Sequence, residues 1–162
     1  MSKHVHPDAP PHAAKVCHLG CIEDRLLENR VKTIKKYGGG FGVAMAGAGA
    51  ALFTQRDGES CLGQLTDAYL VDKYDKFVIR VHLHCGKVAL LTAPGAELEG
   101  QCEADDVASL YALADRGVEK VAAALKRLYG VDIPGEAEVV DIVLNDDGEP
   151  EGVVMPRPKA AV

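Results

Sequence analysis

Cys21-Ile22-Glu23-Asp24-Arg25 and His82-Leu83-His84-Cys85-Gly86 hold the residues best suited to chemistry in this chain. Each follows a short apolar run. Two thiols and an imidazole, from Cys21, His82 and Cys85, form a donor set that zinc takes in a tetrahedron, with a fourth position left for water or substrate. The His82–Cys85 spacing lets both side chains reach one ion as a strand gives way to a turn. Gly86 is expected to permit a tight turn and close backbone approach. Glu23 and Arg25 add an acid and a guanidinium that can pair in a bidentate fork. The carboxylate either accepts a hydrogen bond from a metal-bound water or takes the fourth zinc position and closes the site. Arg25 decides between the two.

The other candidates read as ordinary structure. Cys17 lies four residues before Cys21 on a strand and suits core packing, as free cysteine often does. Cys61 and Cys102 read as bystanders. A thiol redox role would call for Cys-x-x-Cys, which is absent. His84 falls in the turn, either exposed or next to the metal residues as a proton-transfer group. Gly38-Gly39-Gly40 lacks the Lys-Ser/Thr of a phosphate loop and reads as a helix-to-strand linker. Gly42, Gly47 and Gly49, set among alanines, point to close backbone packing.

The rest of the chain must bring the two segments together. Its 162 residues, 48% apolar, suit one domain with a full core. Residues 1–13, with three His and three Pro, read as a flexible arm, 14–155 as a single α/β zinc-binding domain, and 156–162 as a loose tail. Strands are expected at Lys15–Leu19, Lys76–His82, Ala137–Leu144 and Gly152–Met155, with strand character from Phe41 into a small-residue stretch ending at Phe53. Helices are expected at Glu23–Tyr37, Cys61–Tyr74 and Asp105–Leu128, the last kinked or broken at Gly117. Lys87–Leu91 is a further short apolar run. Strands alternating with helices predict a mainly parallel central sheet flanked by helices, closed by a C-terminal antiparallel strand. In such sheets ligands lie beyond the carboxyl ends of the strands, where both segments fall.

Composition narrows the function further. The net charge is −6 and no basic patch stands out, which argues against nucleic acid as a partner. No apolar run approaches 18 residues, so no membrane partner is expected. The polar start of the chain has no signal-like stretch, and the five cysteines are an odd number, so a cytoplasmic location is expected.

The two segments resemble the metal motifs of the β-class carbonic anhydrases, Cys-x-Asp-x-Arg and His-x-x-Cys-Gly. Met45-Ala46-Gly47 is similar to a family Asn-Ala-Gly between them, and Val139–Gly148 with Val153-Val154 is similar to the family's last strand and turn. Glu23 stands at the family's Asp and Lys87 at a position where small or apolar residues are common. The resemblance implies that Cys21, His82 and Cys85 bind Zn2+ and that Arg25 pairs with Glu23. Gly47, His84 and Gly86 are candidates for the surroundings of the metal ligands. The resemblance further implies reversible hydration of CO2 to bicarbonate by a zinc-bound hydroxide, in a homodimer or higher homo-oligomer. Carbonyl sulfide or carbon disulfide hydrolysis is an alternative on the same scaffold, and so is an inactive zinc-binding assembly module.

Overall fold

A computed structural model of the chain describes residues 16–22, 31–32, 34–35 and 40–159. Five strands form one sheet in the order β2-β1-β3-β4-β5, with β1 at Val16–Gly20, β2 at Gly40–Ala44, β3 at Lys76–His82, β4 at Gly135–Leu144 and β5 at Pro150–Val154. The pairings β1–β2, β1–β3 and β3–β4 are parallel, and β5 returns antiparallel to β4. The predicted mixed α/β sheet is therefore observed. Chain order reverses at β1, so the crevice between the carboxyl ends of β1 and β3 is a topological switch point.

Helix α1 spans Gly58–Asp72, α2 Gly86–Thr92 and α3 Val107–Tyr129, and a 3-10 helix covers Ala48–Phe53. Side chains alternate between the faces of a strand. Phe77, Ile79 and Val81 of β3 join Cys17 and Leu19 of β1 in the core packed by α1, α3 and the 3-10 helix. Gly117 is buried within an unbroken α3, not at a kink. A Cβ there would sit 3.2 Å from both Ile79 Cγ2 and Leu52 Cδ1, so the glycine sets how closely the helix meets the sheet.

The opposite parity of β3 carries Val78, Arg80 and His82, all buried. Arg80 donates from Nε and Nη2 to Glu138 Oε2 on β4, at 3.0 and 2.7 Å. The two residues face each other in the parallel register.

Other boundaries follow local chemistry. Helix α3 starts at Val107 because the Asp106 side chain accepts a hydrogen bond from the Ser109 N–H at 2.8 Å and caps it. The Lys87–Leu91 run belongs to α2. Arg157 forms a bidentate pair with Asp115 on α3, and its guanidinium lies over the Tyr111 ring. Val31, Lys32, Ile34 and Lys35 are helical. The remainder of the helix expected at Glu23–Tyr37 lies outside the described residues, as does the arm at 1–13. No helix among the described residues is long and apolar enough to cross a membrane.

Candidate metal centre

Cys21 and His82 are 61 residues apart in sequence, yet they lie at the carboxyl ends of adjacent parallel strands. Cys21 follows β1 directly, His82 is the last residue of β3, and Cys85 immediately precedes α2. All three are buried, at 7%, 3% and 3% exposure, and their donor atoms lie within 4.8 Å of one another. A tetrahedral zinc holds sulfur and nitrogen donors roughly 3.5–3.8 Å apart, so small side-chain movements suffice to close the shell.

The histidine is prepared for this role. Its Nδ1 lies 3.0 Å from the Leu83 carbonyl oxygen. A carbonyl only accepts, so this hydrogen bond requires the proton on Nδ1 and, in the neutral ring, leaves the lone pair on Nε2. Fixing the outer nitrogen on a carbonyl is how proteins orient metal-binding imidazoles.

The two sulfurs share a hydrogen bond. Hydrogen bonding with Cys21, then burial, pushes the Cys85 thiol far above its ordinary pKa; the backbone N–H groups of Val88 and Lys87 act in the opposite sense. Two thiols this close compete for a proton, and a dication that displaces it relieves the conflict. Geometry, tautomer and donor chemistry all fit zinc.

The backbone between the ligands is pinned. Leu83 N–H donates to the Val140 carbonyl at 2.9 Å and His84 N–H to the Ala104 carbonyl at 2.7 Å. The sharp turn falls on His84, with φ of 57°, and not on Gly86, whose φ is not positive. The left-handed backbone at His84 reverses the chain so that Cys85 returns towards His82. The His84 side chain is exposed and lines a separate cavity of about 430 Å³ with Thr92, Glu103 and Asp105 among its walls.

A cavity of about 210 Å³ adjoins the three donors, with Ile22, Ala46, Gly86 and Lys87 completing its described walls. Gly47 has φ of 82° and packs on the Lys87 stem. Glu23 and Arg25 lie outside the described residues. Cys17 and Cys61 are buried in the core away from the donor group, and among the described residues no other set of three acids, His or Cys gathers this closely. Sequence reading passed over Arg80, whose partner Glu138 is distant in the chain, and Ile22 and Ala46, whose role as walls has no local signal.

No protein-family model matches the chain, and no curated protein matches it. Solved structures do. The β-carbonic anhydrase CcaA superposes with a TM-score of 0.51 at 16% identity, over 93% of this chain and 80% of its own. The fold is that of the β-carbonic anhydrases. The carbonic anhydrase from Streptococcus mutans matches at a TM-score of 0.48 and 16% identity, over 90% of this chain and 86% of that one. A carbon disulfide hydrolase in its apo form matches at 0.47 and 13%, over 93% and 81%. Within this β-carbonic anhydrase fold, the Cys21, His82 and Cys85 donors sit at the switch point of the sheet.

Proposed function

We propose that the chain is a divergent, zinc-dependent enzyme of the carbonic anhydrase kind that interconverts CO2 and bicarbonate. The convergence of Cys21, His82 and Cys85 beside a small cavity, at the carboxyl edge of a sheet of this fold, carries the reading. Zinc bound there supplies the Lewis acidity that makes a nucleophile of water near neutral pH.

The chain's own residues do the rest. Cys21 and Cys85 bind as thiolates and together cancel the charge of the dication. His82 binds neutral through Nε2 while the Leu83 carbonyl holds its Nδ1 proton. Ile22 and Ala46 give the cavity an apolar wall suited to a small uncharged substrate. In this reading the Glu23 carboxylate accepts a proton-bearing hydrogen bond from the attacking water and Arg25 fixes that carboxylate in a two-point fork. Five free cysteines suit a reducing cytoplasm. Exposed Val143, Leu144, Val153 and Val154 on the edge hairpin support a homodimer or larger homo-oligomer. No nucleic acid or membrane enters this reading.

The same apolar wall admits carbonyl sulfide and carbon disulfide, which keeps a hydrolase of these as the second reading. Stopped-flow assay of zinc-loaded protein tests the proposal. CO2 hydration above the buffer rate, abolished by His82→Ala, is expected. Faster turnover of carbonyl sulfide or carbon disulfide than of CO2 favours the second reading. Full zinc occupancy with only the buffer rate across about pH 7–9 points instead to a zinc-holding assembly module closed by Glu23.

A further inference from the structure

Among the described walls of the cavity beside the metal donors, one side chain outside the donor set carries charge. Two thiolates, a dication and a neutral imidazole sum to zero. Of the remaining described walls, Ile22, Ala46 and Gly86 carry no charge and Lys87 carries one. No carboxylate among the described residues lies within ion-pair distance of Lys87. The lysine is also held. It is half-buried, and a Cβ added at Gly47 would lie 3.1 Å from its Cγ and 3.7 Å from its Cβ. Gly47, in a left-handed conformation that disfavours other residues, thus leaves the space that the Lys87 stem occupies.

A lysine with a fixed stem, on the wall of a cavity whose metal complex is electrically neutral, selects for charge. It attracts an anion that offers oxygen acceptors to its three donors and contributes little to an uncharged, linear substrate. We infer that Lys87 is a specificity-determining residue that binds a small oxyanion of the bicarbonate class in this cavity. The inference rests on the proposed function for the metal beside it, but the lysine, Gly47 and the cavity stand without it. Its consequence is directional: Lys87 tightens the anionic side of the reaction and leaves capture of the neutral gas almost unchanged.

Cobalt loading provides a test that does not depend on turnover, because the visible spectrum of Co2+ reports its ligand shell. Bicarbonate is titrated into the cobalt forms of the parent protein, Lys87→Met and Lys87→Arg. Methionine retains an unbranched stem against Gly47 and removes the charge. The expected result is bicarbonate binding weakened roughly tenfold or more in Lys87→Met and largely retained in Lys87→Arg, the scale of a hydrogen bond to a charged group. Cobalt content and the anion-free spectrum should be the same in all three. Superimposable titrations of the parent and Lys87→Met would overturn the inference. If no metal loads, the carbonic anhydrase reading fails, and the lysine is tested separately by reductive methylation read from peptide masses. Slower methylation of Lys87 in bicarbonate sustains the anion site, and equal rates with and without it overturn it.

Discussion

Removing the Glu138 carboxylate should expose how much the second face of the sheet depends on the Arg80–Glu138 pair. Arg80 and Glu138 side chains are only 3% and 10% exposed, and two donors converge on a single oxygen at 3.0 and 2.7 Å. Breaking a buried pair by removing one of its members costs about 3–5 kcal/mol. Glu138→Leu is therefore expected to lose that much, against a total stability of about 5–15 kcal/mol for a domain. At about 2–4 °C per kcal/mol for a chain of this size, the melting temperature falls by roughly 6–20 °C. Replacing both charges with apolar groups of similar volume is often neutral. Arg80→Met combined with Glu138→Leu should thus recover most of the loss. Urea denaturation of the four proteins in the double-mutant cycle, at one pH and without metal, gives the coupling energy. A loss below about 1 kcal/mol in Glu138→Leu, or a double variant no better than the single one, would refute the claim that this buried pair controls the face.

Three further outcomes are expected. Burial, then the Asp57 carboxylate, raises Cys61 to about 11, with Lys120 acting against them. At pH 8 only about one thiol in a thousand is then ionised, so iodoacetamide should label Cys61 in the folded protein at least roughly 100-fold more slowly than in denatured chains, and faster as pH rises; equal rates would be contradictory. Gly117→Val should push α3 away from Ile79 and Leu52 and cost about 1–3 kcal/mol in guanidinium melts, whereas a neutral result would mean the 3.2 Å approach is not a constraint. Because the Cys85 thiol holds its proton above the ordinary range, zinc must displace protons on binding; lowering the pH from 8 to 7 should weaken zinc affinity by roughly ten- to a hundredfold, and competition titrations with a chromogenic chelator that show no pH dependence would contradict this.

The gathering of Cys21, His82 and Cys85 was legible because residue type is itself the signal: thiols and an imidazole at strand ends suit one shared ion. The parallel sheet was legible because Phe77, Val78, Ile79 and Val81 cluster in a short stretch bounded by polar residues and flanked by helix-period stretches. Short runs are different. Lys87–Leu91 carries no period over five residues, and its good helix formers settle into α2. The role of Gly117 depends on Ile79 and Leu52, which are remote in sequence, so its local helix-breaking tendency misleads. Arg80 looks like an interruption of an apolar strand until β4 brings Glu138 opposite it. The reversal at His84 is set by the hydrogen bond of its N–H to the Ala104 carbonyl, a constraint invisible to a reading that assigns turns to glycine.

Metal content by elemental analysis, on tag-free protein purified without added metal, tests the central claim most directly. About one zinc per chain, falling to background in His82→Ala while the far-ultraviolet circular dichroism is retained, is the predicted result. Protein that carries no zinc and takes none up when refolded with it would contradict a metal centre at Cys21, His82 and Cys85 and leave two buried, reduced cysteines and a buried histidine at the edge of an α/β sheet.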